Sequence, residues 1–184
     1  MKLPHFQLAP APSSWDPNSD PRSSAVLALF IDDPEHGVSL LFTRRAAKMR
    51  AHAGQVGFPG GRREDFDKSP VATALREAHE EIGLLAKGVT LLGALPPLKS
   101  LDGKPVLPIV AFAPISLTDL TPSPDEVAEI FIVPWHELTQ EKRKILKFNI
   151  FGKWRETPHY EALGHHVWGL TAWMVDRLKL TSAL

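Results

Sequence analysis

The chain contains no cysteine in its 184 residues, which removes disulfides, thiolate nucleophiles and zinc–thiolate centres from consideration. Net charge is missing as well. With 21 Lys and Arg against 21 Asp and Glu, there is no electrostatic footprint for nucleic acid or an anionic membrane, and neither is expected as a partner. Long apolar runs are also absent. The longest near the start, Ala25 to Ile31, is far too short to span a bilayer, and no basic stretch leads into an apolar one as in a secretory signal. The C-terminal Thr-Ser-Ala-Leu is not the Ser-Lys-Leu peroxisomal address. These exclusions, with 43% hydrophobic residues, predict one globular domain in the cytoplasm. Homodimerisation stays open.

Proline, serine and aspartate crowd residues 1–22, which read as an irregular arm that either drapes over the domain or stays mobile. The domain proper is expected over residues 23–184. Ala25 to Ile31 and Val38 to Arg44 read as strands of a hairpin around Asp32-Asp33-Pro34-Glu35-His36-Gly37. Pro70 to Ile82 reads as a helix, with Ser69 as N-cap, Pro70 preset for the first turn, and Gly83 or Gly88 as terminator. Strands follow at Val89 to Leu95, Val106 to Phe112 and Glu129 to Val133, then helices at Pro134 to Lys142 and Val167 to Leu178.

The segment Arg76-Glu77-Ala78-His79-Glu80-Glu81-Ile82-Gly83 carries the chemistry. At about 100° per residue, Glu80 and Glu81 fall roughly 60° to either side of Glu77, while Val71, Leu75, Ala78 and Ile82 form the opposite, apolar side. Three carboxylates this close repel one another, and a divalent cation removes the conflict. Oxygen-only ligands suit Mg²⁺ or Mn²⁺. Arg76, one turn before Glu80, is placed to hold that carboxylate. The adjacent glycines of Phe58-Pro59-Gly60-Gly61 let backbone approach closely and aim a carbonyl at the same ion.

This segment resembles the signature box of the Nudix hydrolases, Gly-x5-Glu-x7-Arg-Glu-U-x-Glu-Glu-x-Gly-U, where U is bulky and apolar. Gly61, Arg76-Glu77, Glu80-Glu81 and Gly83-Leu84 take the corresponding places. Three features depart from the box. The gap from Gly61 to Arg76 is one residue longer, the first glutamate position holds Asp67 or Lys68, and Ala78 stands at the first U. Upstream, Leu41-Phe42-Thr43-Arg44-Arg45 and Met49-Arg50-Ala51-His52-Ala53-Gly54-Gln55-Val56 resemble the motif of the coenzyme A pyrophosphatase branch, which shares the longer spacing.

The resemblance implies an α/β fold, the Nudix-type α/β/α sandwich with a mixed sheet. It implies that Glu77, Glu80, Glu81 and the Gly60 carbonyl hold one to three Mg²⁺ or Mn²⁺ ions, with Arg76 supporting and Gly61, Arg45 and Arg50 contacting a nucleotide. The implied reaction is hydrolysis of a diphosphate linkage, for coenzyme A to 4′-phosphopantetheine and adenosine 3′,5′-bisphosphate. A box glutamate, Glu126 or Glu129 would serve as general base. ADP-ribose, NADH and other nucleoside diphosphate derivatives are alternative substrates. A non-catalytic nucleotide-sensing module is the other alternative, against which the unbroken Arg-Glu-x-x-Glu-Glu argues.

Other residues receive plainer readings. His165-His166 lacks a spaced third ligand and reads as surface. Trp168 and Trp173 read as core by their spacing, with stacking on a base as the rival role. Arg62, Arg63, Lys99 and Lys104 read as solvated charge, whereas Arg45 and Arg50 gain weight from their place in the upstream motif.

Overall fold

The computed structural model describes residues 3–16, 18–49, 52–150 and 152–183. Strand β1 (His5–Phe6) is followed by the hairpin of β2 (Ser24–Asp33) and β3 (Gly37–Arg45). Its turn is tied by Asp33, whose Oδ1 accepts from the Glu35 and His36 amides, both at 3.1 Å. Short strands β4 (Val56–Gly57) and β5 (Gly60–Arg62) bring the chain to helix α1 (Pro70–Ile82). Next come β6 (Thr90–Ala94), β7 (Leu98–Lys99), β8 (Pro105–Ala113), β9 (Val127–Pro134) and helix α2 (Trp135–Gln140). Strands β10 (Lys144–Ile150), β11 (Lys153–Ala162) and β12 (His165–Trp168) form a separate antiparallel sheet. Helix α3 (Gly169–Thr181) and strand β13 (Ser182–Ala183) end the described chain.

The main sheet runs β4-β3-β2-β8-β6, with β5 added to β2, β7 to β8 and β9 to β3. Among the described residues only β2 and β8 pair in parallel, so the sheet is mixed. Side chains alternate across a strand, and β2 divides accordingly. Ala25, Leu27, Leu29 and Ile31 pack with Ala74, Ala78 and Ile82 of α1. Ala28 and Phe30 pack on the other face with Leu138 of α2 and Met174, Val175 and Leu178 of α3. Both faces of the sheet are thus helix-covered, giving the expected α/β/α sandwich.

Helix α1 matches its expected bounds because its signals are local. The Ser69 side chain accepts from the Ala72 amide at 3.1 Å, and Gly83 closes the helix with φ 70°, a left-handed conformation that glycine adopts without a Cβ clash. The N-terminal arm drapes over the domain. His5 and Phe6 pair with Ala183 and Ser182, Phe6 lies 5.0 Å from the Phe30 ring, and the Ala9 carbonyl accepts from the Ala94 amide.

One expectation about these elements needs correction. Val167 and Trp168 belong to β12, and the final helix starts at Gly169, whose φ of 66° breaks the extended strand. His165 and His166 lie in β12 as well; His165 stacks on Phe131 at 3.7 Å.

Candidate active site

The glycine turn and α1 meet at the two glutamates whose side chains are covered. Strand β5 pairs with β2, setting Gly60 opposite Val26 and Gly61 opposite Ala25, and α1 packs on the same strand. The Gly60 amide donates to Glu81 Oε2 at 3.2 Å. A Cβ on Gly61 would come within 2.5 Å of the Glu77 carboxyl carbon. Gly61 is required because the carboxyl occupies the space a side chain would fill.

Arg76 organises the helix carboxylates. Its Nη1 donates to Glu77 Oε1 at 2.9 Å and to Glu80 Oε2 at 3.0 Å. Its Nε and Nη2 donate to the two oxygens of Asp67 at 3.1 and 2.9 Å, and Nη2 also reaches the Arg62 carbonyl. Burial pushes the Asp67 carboxyl up, but hydrogen bonds from Arg76, the Glu64 amide and Thr73 outweigh it and hold the group below the usual carboxylate range. Asp67 therefore supplies the acidic group of the loop, one step away from the chemistry. Sequence reasoning marked its position but missed its partner.

The three helix glutamates do not share one environment. The Glu81 side chain is 3% exposed and the Glu80 side chain 52%, a difference caused by helix rotation and by the grip of Arg76 on Glu80. Among the described residues, no three His, Asp or Glu groups are drawn close enough to hold an ion by themselves. The groups that share a field are Glu77, Glu81 and Glu126. Burial raises the carboxyl of Glu77, and like charge on Glu80 and Glu126 adds to the shift. Burial likewise pushes Glu81 up to about 7, opposed by the Gly60 amide and Arg45 and reinforced by Glu77 and Glu126. Clustered carboxylates at this level of desolvation are what a hard divalent cation compensates, so the residues present fit Mg²⁺ or Mn²⁺.

Arg45 and Gly61 are at the same place. Arg45 Nη1 lies 3.5 Å from Glu81 Oε1, and its buried Nε has no partner among the described groups. Arg45 thus faces a helix glutamate instead of standing free for a distant part of a ligand. Arg50 lies outside the described residues. Glu129 is held by Arg44 at 2.9 Å at the edge of β9, away from the charge cluster that Glu126 joins.

From this floor opens a cleft of about 810 Å³, within the size range of small-molecule sites. Trp168 and Trp173 line it, so the reading of these two as core residues is corrected; Trp173 is 39% exposed. Phe148 of β10 lies edge-on to Trp168 at 5.9 Å and completes an aromatic wall. The hairpin of β10 and β11 was not foreseen, because its exposed faces mix charged and apolar residues and give no clean alternation.

The family model of the NUDIX domain matches residues 21–151. The uncharacterized Nudix hydrolase NudL of Photorhabdus laumondii is 43% identical over 174 residues, covering 94% of this chain and 90% of the relative. The NudL of Pectobacterium atrosepticum is 39% identical over 186 residues, covering 97% and 91%. Among solved structures, the Nudix hydrolase RenU of M. smegmatis superposes with a TM-score of 0.52 at 24% identity, covering 65% of this chain and 74% of that one. With its Arg-Glu-x-x-Glu-Glu run intact on α1, its glycine turn packed against that helix and these matches along most of its length, the chain belongs to the Nudix hydrolases, enzymes of nucleoside diphosphate derivatives.

Proposed function

We propose that the enzyme hydrolyses the diphosphate linkage of coenzyme A or its thioesters with Mg²⁺ or Mn²⁺, giving adenosine 3′,5′-bisphosphate and 4′-phosphopantetheine, which keeps its S-acyl group when a thioester is the substrate. The observation that carries this reading is the buried Glu81 carboxylate, fixed by the Gly60 amide beside a cleft lined by six cations and two carboxylates. A polyanionic substrate suits that lining, and the aromatic wall suits a nucleoside base. The choice of coenzyme A rests on the upstream motif around Arg45 and on the longer spacing between Gly61 and Arg76.

Glu77, Glu80, Glu81 and the Gly60 carbonyl would hold the cations. When bound, these neutralise phosphate oxygens and lower the pKa of a water. Arg76 keeps Glu77 and Glu80 in place, and Arg45 balances part of the charge on Glu81. Glu126, on the loop before β9, accepts the proton of the attacking water at its carboxylate. A substrate panel of coenzyme A, ADP-ribose and NADH, with products identified by chromatography in each metal, tests the reading. Coenzyme A should give the highest kcat/KM; faster turnover of ADP-ribose would leave a Nudix hydrolase of different specificity.

A further inference from the structure

The cleft's cations are concentrated on one rim that the reaction itself does not use. In the main sheet, Arg62 of β5 stands opposite Ser24 of β2, Ser24 opposite Val106 of β8, and Val106 opposite Leu98 of β7. With about 5 Å between neighbouring strands, this row leads from the glycine turn to the β7–β8 turn in three steps. Arg22 lies in the turn just before β2, and Lys99 and Lys104 flank the far turn. That turn is fixed by hydrogen bonds: Ser100 Oγ donates to Asp102 at 2.6 Å and accepts from the Lys104 amide at 3.1 Å. All four cations line the cleft.

Their local partners leave charge over. Arg22 pairs with Asp20 and Lys104 with Asp102, while Arg62 and Lys99 form no ion pair among the described residues. In a chain with no net charge, two unspent cations beside two half-compensated ones form a local excess at one end of a cleft. Guanidinium and ammonium groups together suit the several oxygens of a phosphate dianion. The rim starts at Arg62, directly after Gly61, so it adjoins the glycine turn and runs away from the helix glutamates along the cleft.

We propose that Arg22, Arg62, Lys99 and Lys104 form a second phosphate subsite, which takes a phosphomonoester on the substrate's ribose, separate from the diphosphate that is cleaved. This rests on the reading of the cleft as a site for nucleoside diphosphate derivatives. It reassigns Arg62, Lys99 and Lys104 from solvated charge and adds Arg22, while Arg45 stays committed to Glu81.

Two measurements on the full chain test it. In the first, kcat/KM for coenzyme A is compared with that for 3′-dephospho-coenzyme A in the wild type and in R62A/K99A. The ratio should favour coenzyme A in the wild type and fall ~10-fold or more in the variant, the scale of lost charged hydrogen bonds. An unchanged ratio overturns the subsite, whether both rates fall together or neither falls. In the second, binding of adenosine 3′,5′-bisphosphate and of AMP is measured by calorimetry, with no turnover involved. Tighter binding of the bisphosphate that is lost in R62A/K99A supports the subsite even if coenzyme A is not hydrolysed, an outcome that would remove only the coenzyme A reading. Equal binding of the two nucleotides overturns it.

Discussion

Asp67 grips Arg76 at two points, Nε to Oδ1 at 3.1 Å and Nη2 to Oδ2 at 2.9 Å, and so leaves Nη1 free for Glu77 and Glu80. The loop acid therefore aims the arginine that aims the glutamates. Thr73 adds a hydroxyl to Asp67 Oδ2 at 2.9 Å, so the anchor is itself fixed by the first turns of α1.

Asp67→Asn removes the charge that holds Arg76 while keeping the shape. The expected result is a loss of about 2 kcal/mol in urea denaturation, since a buried pair loses one member. The Mg²⁺ concentration for half-maximal activity should rise ~10-fold, the effect of disturbing a group behind the ligands. Because Asp67 titrates below its usual range when folded, its contribution is complete above the unfolded carboxyl pKa. It disappears as pH falls through the lower, folded value, so the variant and wild-type stabilities should converge in acid.

Glu81 has the opposite sign. Its carboxyl rises from 4.5 to about 7 on folding, so the folded chain binds this proton more tightly than the unfolded one. Metal-free protein should lose on the order of 3 kcal/mol as pH climbs from about 4.5 through about 7. Denaturation in chelator between pH 5.5 and 8 checks this. Mg²⁺ should restore the loss at the alkaline end, and Glu81→Gln should flatten the profile; metal-free stability that rises with pH over this range would contradict the assignment.

Gly61→Ala places a methyl where the Glu77 carboxyl sits. The glutamate must move by about an ångström, and kcat should fall ~100-fold with the far-ultraviolet circular dichroism unchanged. Unaltered turnover would mean that Glu77 is free to occupy other positions without consequence.

Glu126→Gln separates the proton acceptor from the ligands. The expected outcome is a fall in kcat of ~100-fold or more together with loss of the acidic limb of the pH profile. A normal profile returns the role to the helix glutamates.

The parts of this molecule legible from sequence are those specified within a few residues. Helix α1 announces itself through Ser69, Pro70 and Gly83, and the β2–β3 hairpin through two apolar runs on either side of the Asp33 turn. The site was legible in type: Glu77, Glu81, Arg76, Gly60 and Gly61 meet as their spacing implies. What could not be read depends on pairing between distant strands. The environment of Glu80 follows from Arg76 being held by Asp67, and the cationic rim follows from the register that brings Arg62 and the β7–β8 turn to one edge. Trp168 and Trp173 have core-like spacing, yet the β10–β11 hairpin opens a cleft in front of them. Gly169 was the local sign, unused, that the last helix starts later.

The proposed reaction places the buried Glu81 carboxylate at the glycine turn at the heart of a metal-dependent diphosphate hydrolysis. Turnover of coenzyme A by wild type and Glu81→Gln at saturating Mg²⁺, with the wild type repeated in excess chelator, tests it most directly. The expected results are 4′-phosphopantetheine and adenosine 3′,5′-bisphosphate from the wild type, a kcat lower by orders of magnitude in the folded variant, and no product in chelator until Mg²⁺ is returned. A Glu81→Gln enzyme with unchanged kcat, or activity that persists in chelator, would contradict it.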